Sequence, residues 1–525
     1  MVTGHRSLNQ AESTVQDSLR QTLSRHESQL AALQEASQAS SNERTAEDLE
    51  TTRTRLSAAE AAWSTFHEEI ARKYPVSEGQ AFPLERVQET LTDQTALIGW
   101  LHVEINPKEV SSWGYVIRNE DPVEWVRLDN QSGRTEMSAD IEKAREVHDA
   151  LTIASAWPCR PASVARITGE IRKLWRRWMA PLTQHLVGVE HLVVIPSGPM
   201  LGIPIEALVD SDSVHLGDHF TVSYTPSATI HTWLWEQSAQ RRAPMVRSAL
   251  LVGDPPFTDD HLVAMEREAE DQSFVEGVLF ASAEPPLQTT VVRSALFGNQ
   301  EALASLPRLP RTRDEVERVA SAIPAATTLL GPEASEQRLF DLAESGALRG
   351  FDIIHLATHA LVDDALPERS ALVLSRVGLP DPHEAIVAGA RVHDGLLTAK
   401  EIVREWDLDA DLVTLSGCQT GLGRKAAGEG HIGLAHAFLQ AGARSILVSL
   451  WKAEEEATSL LMTRFYENLT GAYRDERDGR RGESMPKAAA LREAKRWLRT
   501  YIDDEGHQPF QHPSYWSGFV LIGEP

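Results

Sequence analysis

The stretch DLVTLSGCQTGLG, residues 411–423, sets one of only two cysteines in the chain directly after an apolar run. Leu412, Val413 and Leu415 read as a buried strand, and Ser416-Gly417-Cys418 falls where that strand must stop. Gly421 and Gly423 interrupt any regular continuation. A side chain at the carboxyl end of a buried strand is held by the sheet yet reachable at its rim. α/β proteins place reactive groups there.

Upstream, DIIHLATHALVDD (352–364) repeats the pattern with a different residue. Ile353, Ile354, Leu356 and Ala357 make a buried strand that delivers His359 to its carboxyl end. Two parallel strands ending this way present both residues on one edge of one sheet. The thiolate is the nucleophile, and a free thiol is mostly protonated at neutral pH, so a cysteine needs such an imidazole as base and as counter-charge. A lone cysteine is more often a small core residue, and Cys159 in AWPCRP keeps that reading or a plain surface one. For Cys418 the flanking glycines and the strand-end histidine reverse it.

Three other chemistries fit poorly. His355 and His359 stand four apart, but HLATH lacks the glutamate of a zinc-protease helix and lies in a strand, so no metal site is expected and His355 reads as a satisfied core residue. GLGRKAAGEG matches neither phosphate-loop spacing. A glutamine amidotransferase has its cysteine in G-x-C-x-G with the histidine after it, whereas here the histidine comes first.

The chain has 525 residues, 42% of them apolar and 24% charged, which suits two or three globular domains. No run approaches the roughly 18 apolar residues of a membrane span, and MVTGHRSLNQAEST has no secretory core. Two cysteines build no disulfide framework, so the expected location is the reducing cytoplasm. The net charge of −25 argues against nucleic acid as a partner.

Residues 3–75 are polar, with Leu49, Leu56, Trp63 and Ile70 at seven-residue intervals and Leu8, Val15, Leu23 and Leu30 nearly so. That is the period of a helical seam, and SQASSNER (37–44) reads as the break of a helical hairpin. From residue 95 short apolar runs alternate with helical stretches, a Pro-rich acidic region (256–310) intervenes, and a second set of strands follows. This predicts an α/β fold with a mostly parallel sheet covered by helices.

HLATHA, LVTLSGCQTGLG, GEGHIGLAHAFLQAGARSILVSLW, EEEAT and the terminal HPSYWSGFVLIGEP resemble the CHAT family of caspase-like cysteine peptidases. LVVIPSGPMLGIPIEALV and YTPSATI resemble that family's upstream half. The resemblance implies a caspase-hemoglobinase-like fold, duplicated as an inactive upstream half (85–310) and an active C-terminal half (311–525), after an N-terminal hairpin region (1–84). It implies a His359–Cys418 dyad and peptide-bond hydrolysis through a thioester. The oxyanion would be held by the backbone N–H groups of Cys418 and Ala360, a position where many members carry glycine. Metals and organic cofactors are not expected. The separation of 59 residues between His359 and Cys418 is similar to the spacing of about 50 in caspases.

Ser445–Trp451 reads as a strand next to that of Cys418, and in separase and caspase relatives the following loop lines the pocket for the residue before the scissile bond. Alignment on Leu450-Trp451 makes Glu455 the carboxylate for an arginine there, with Glu454 as second choice and Ser416 as a further substrate-binding residue. The resemblance also implies protein substrates, and a setting in bacterial (antiviral) defence or cell death where another protein or an upstream protease switches the enzyme on. The charged segment YRDERDGRRGESMP (473–486) reads as a loop open to nicking. The rival readings are a non-catalytic scaffold on the same fold and an amidohydrolase of small metabolites.

Overall fold

A computed structural model describes residues 81–106, 109–128, 137–153, 161–239, 248–270, 303–363, 367–379, 391–417, 429–451, 454–473 and 482–525, with isolated positions at 246, at 387 and between 15 and 66. Eleven strands form one sheet: β1 (Thr95–Asn106), β2 (Glu109–Ile117), β3 (Glu124–Arg127), β4 (His191–Ile195), β5 (Thr221–Tyr224), β6 (Ser248–Gly253), β7 (Ala325–Leu330), β8 (Ile353–Ala357), β12 (Leu412–Leu415), β13 (Ser445–Ser449) and β14 (Phe519–Gly523). A small second sheet holds β9 (Ala360–Leu361), β10 (Ala371–Val373) and β11 (Leu396–Thr398).

The large sheet runs β3-β2-β1-β4-β5-β14-β13-β12-β8-β6-β7, and seven of its ten pairings are parallel. The α/β expectation with a mostly parallel sheet is met. β14 pairs antiparallel with β13 and parallel with β5. From β1 to β7 in this order the strands therefore form two parallel blocks of opposite direction, with β2 antiparallel to its neighbours β1 and β3, so β8, β12 and β13 share a carboxyl edge that β4 and β5 do not. β6 precedes residue 311 in the chain, yet it lies between β7 and β8.

The central strands are nearly all apolar because helices cover both faces. On one face Ile354, Leu356, Val413, Leu415, Ile446 and Val448 belong to one buried cluster that also holds Val147 of α1 (Met137–Ile153), Ile171 of α2 (Pro161–Leu174) and Phe438 of α4 (Glu429–Ala441). On the other, Ile353, Ala357, Leu412 and Leu447 meet α3 (Arg311–Ala322), α5 (Glu455–Thr470) and α6 (Lys487–Arg499) through Val316, Phe465 and Leu491. The alternation of side chains along each strand makes this division, and each fully buried Leu or Val contributes roughly 1.5–3 kcal/mol. α6 also ties the sheet's two blocks together: Arg499 Nη2 donates to both carboxylate oxygens of Asp218 (2.9 and 2.8 Å) and Arg492 Nε donates to the Gly217 carbonyl (2.8 Å).

In the N-terminal region the described positions are helical. Leu23, Thr52, Ala59 and Phe66 are buried there, while Leu56 and Trp63 are half-buried and Val15 is exposed. Thr52, Ala59 and Phe66 keep the seven-residue interval, three positions on from the Leu56–Trp63 seam. A helical face that meets a partner uses both such positions of the repeat. Leu8, Leu30, Leu49, Ile70 and the break at 37–44 lie outside the described residues.

Candidate active site

β8 ends at Ala357, and Thr358 and His359 lead from the large sheet into β9 of the small one. This crossing is locked by backbone bonds. The Val373 N–H donates to the His359 carbonyl at 2.9 Å, the Thr358 hydroxyl donates to the Val373 carbonyl, and Ala360 pairs with Leu372. The His359 ring is buried, with Nε2 2.8 Å from the carbonyl oxygen of Pro307 and the Phe257 ring 5.4 Å away at 40°. A carbonyl only accepts, so this contact places the neutral ring's proton on Nε2 and makes Nδ1 its basic nitrogen.

β12 lies beside β8 in parallel register, Leu415 opposite Leu356, and the Ser416 N–H continues the ladder to the Leu356 carbonyl at 3.0 Å. At the next residue the two strand ends touch. A Cβ built on Gly417 would stand 1.3 Å from the Thr358 carbonyl oxygen, so only glycine fits there. Gly417 and Thr358 are the residues immediately before Cys418 and His359. Cys418, Gly421 and Gly423 lie outside the described residues.

Ser416, expected to face substrate, is 3% exposed and donates its hydroxyl to the Glu315 carboxylate on α3. Oε1 of the same carboxylate is 3.0 Å from Nε2 of His355. His355 Nδ1 lies 3.2 Å from Tyr466 Oη, which bonds Thr414 Oγ1 at 2.7 Å. His355 is thus a core histidine, buried between β8, α3 and α5 beneath the strand ends, bonded through Nδ1 and with Nε2 beside a carboxylate. Glu315→Ala would leave the Ser416 hydroxyl buried without its acceptor and His355 without the neighbouring carboxylate. It is expected to lower stability by about 3 kcal/mol, read from denaturant unfolding; a loss under about 1 kcal/mol would mean that water replaces the carboxylate.

β13 is the parallel neighbour of β12, with Ile446 opposite Val413, so its exit reaches the same edge. Trp451 is buried and donates Nε1 to the Ser514 carbonyl at 2.9 Å, which anchors the turn. Glu454 caps α5, its carboxylate accepting from the N–H groups of Glu456 (3.1 Å) and Ala457 (2.7 Å). Burial pushes its carboxyl up against those donors. Glu455 is the first residue of the helix and half-buried. Of the acidic run, Glu454 is the residue whose carboxylate caps the helix.

Pro307 and Phe257 lie in the Pro-rich acidic region 256–310 and Glu315 just beyond it, and none of them carries a site signature in the sequence. A backbone carbonyl has no residue signature, and nothing in the spacing of LPRLPRTRDE marks contact with a histidine 52 residues on from Pro307.

These features define an α/β protein with a buried histidine past one strand end and, past the end of the adjacent parallel strand, the glycine that precedes Cys418 in the sequence. The chain matches the CHAT domain over residues 168–524, more than half its length, and belongs to that family. It is similar to tetratricopeptide repeat protein 28 of Mus musculus (26% identical over 271 residues) and of Homo sapiens (28% over 265). Each match covers 46% of this chain, which spans only 10% of those relatives. Among solved structures it is similar to a Saccharomyces cerevisiae separase–securin complex, with a TM-score of 0.42 and 10% identity over 95% of this chain and 36% of that one. It is also similar to the Arg-specific cysteine proteinase gingipain R, with a TM-score of 0.32 and 8% identity over 74% and 75%. Among the described residues no helix is long and apolar enough to cross a membrane.

Proposed function

We propose that this CHAT-family chain is a cysteine endopeptidase with His359 as general base and Cys418 as nucleophile. The observation that supports it most is the backbone contact between Gly417 and Thr358, one residue before each member of the pair, at adjacent parallel strand ends. Nδ1 of His359 takes the thiol proton, and the thiolate attacks the peptide carbonyl. The N–H groups of Cys418 and Ala360 receive the oxyanion. Collapse expels the amine with the proton returned by the imidazolium, and water then hydrolyses the thioester. Protein substrates in the cytoplasm, cleaved without metal or organic cofactor, are the reading that follows.

In this reading Glu455 selects arginine before the scissile bond, since Glu454 is engaged as a cap. A guanidinium entering a partly desolvated pocket needs a carboxylate partner. Glu455→Ala is expected to reduce kcat/KM for arginine peptides at least about 30-fold, the loss of a charged hydrogen bond of about 2 kcal/mol, with other peptides unaffected. Undiminished arginine cleavage would remove Glu455 from the pocket. Activation by another protein or protease remains part of the proposal. The Gly482 N–H donates to the Tyr473 carbonyl at 2.7 Å, so the two ends of the charged segment meet, while residues 474–481 lie outside the described residues.

The deciding experiment incubates the chain with cellular protein and labels new N-termini for mass spectrometry. New termini preceded by arginine are expected. If none appear beyond a Cys418→Ala control, even after limited nicking within 474–481, a non-catalytic scaffold is the better reading.

A further inference from the structure

β6 runs beside the histidine strand, Gly253 opposite Ala357, and ends at Gly253. The next residue, Asp254, has a φ of 51° and no exposed surface. Left-handed backbone is uncommon outside glycine, though aspartate tolerates it better than most. Here it turns a carboxylate into the protein interior.

Asp254 has four ties to one neighbouring segment, three of them through its carboxylate. It accepts from Arg308 through Nε (3.0 Å) and Nη2 (3.2 Å), and from Arg313 Nε (2.9 Å), while its own N–H donates to Thr312 Oγ1 (2.8 Å). Arg308 follows Pro307, whose carbonyl lies 2.8 Å from His359 Nε2. Phe257, three residues past Asp254, carries the ring against His359. The loop after β6 therefore reaches the imidazole twice, through the Phe257 ring and through Arg308 and the Pro307 carbonyl. Glu268 shares Arg308 at 2.8 Å, and His261 and Asp260 are the other titratable groups facing the cluster. Anchoring a loop does not require a buried ion pair, which an apolar contact can replace at no cost in stability. A bidentate pair adds orientation.

We propose that Asp254 is a positioning residue for His359: through Arg308 it holds the Pro307 carbonyl on Nε2, and so sets the tautomer and aim of the imidazole. This rests on the cysteine-peptidase reading above. Asp254→Asn keeps the shape and removes the charge, and Arg308→Lys keeps the charge and removes the bidentate geometry.

The test measures alkylation of Cys418 by iodoacetamide in the full chain from roughly pH 5 to 9, separated from Cys159 by peptide mass spectrometry. It needs no substrate. The native chain is expected to react well below the ordinary thiol midpoint of about 8.5. In both variants the midpoint should rise by about one pH unit or more as the imidazolium loses its place. Peptide cleavage should show kcat down about 10- to 100-fold, the effect of a displacement of about 1 Å, with KM unchanged. The combined variant should be no worse than the worse single one, because both act through one contact. A folded Asp254→Asn chain with the native midpoint and kcat overturns the proposal, and if that chain does not fold, Arg308→Lys decides on the same criteria. A native midpoint near that of an ordinary thiol overturns the dyad itself.

Discussion

Cys418→Ala is expected to lower kcat/KM by about 10⁴-fold or more, with the fold unchanged, and His359→Ala by a similar factor. Groups that act as one unit are not additive, so the double variant should be no slower than either single one. Cys418 follows Gly417 in the chain, and Gly417 passes against Thr358, the residue before His359. In the proposed mechanism neither residue can act alone, because the thiol is a poor nucleophile without a base and the base has nothing to activate without the thiol. The measurement is cleavage of an arginine peptide at matched protein concentrations, with circular dichroism to show the fold is kept. Retention of more than about 1% of the native rate by Cys418→Ala would sink the assignment. Loss in Cys418→Ala with none in His359→Ala would keep a cysteine enzyme but require another base.

Gly417→Ala is expected to be the most damaging single-methyl change near the site. The new Cβ would stand 1.3 Å from the Thr358 carbonyl oxygen, whereas ordinary contact begins near 3.4 Å. The strand ends would have to separate by about 2 Å, the difference of those two distances. No side chain can yield, because the obstacle is backbone inside a sheet. Overpacking of flexible cores costs about 1–3 kcal/mol, and a rigid obstacle puts this site at the upper end or beyond. Activity should fall with stability, since a shift of about 1 Å can cost about 100-fold in rate. Gly350→Ala is the control: nothing lies within 4 Å of its Cβ, so denaturant midpoints should separate the two variants clearly. Near-native stability and activity in Gly417→Ala would show that the two strand ends do not touch as described.

Glycine 417 also marks how far the sequence can be read. In the sequence Gly417 counts only as one of the glycines flanking Cys418, and the structure gives it a further reason, the close passage of the backbone at Thr358. The position of His359 past the end of a buried strand was legible, because Ile353–Ala357 is an unbroken apolar run and the residues after it are not. His355 as a core histidine was legible for the same reason, since it sits inside that run. Ser416 was not, because its partner Glu315 lies 101 residues away on a helix.

By itself the sequence determined the alternation of strands and helices, the buried runs leading to His359 and Cys418, and the family motifs, all of which are patterns within a few residues of one another. Only the tertiary structure decided that β6 lies between β7 and β8, that β14 reverses the sheet, that Pro307 and Phe257 lie against the histidine, and that Asp254 holds Arg308 beside Pro307. Periodicity states which side of a strand is buried. It carries no information about which strand comes next to it, and Phe257, whose ring lies against His359, comes from the loop after just such a neighbour.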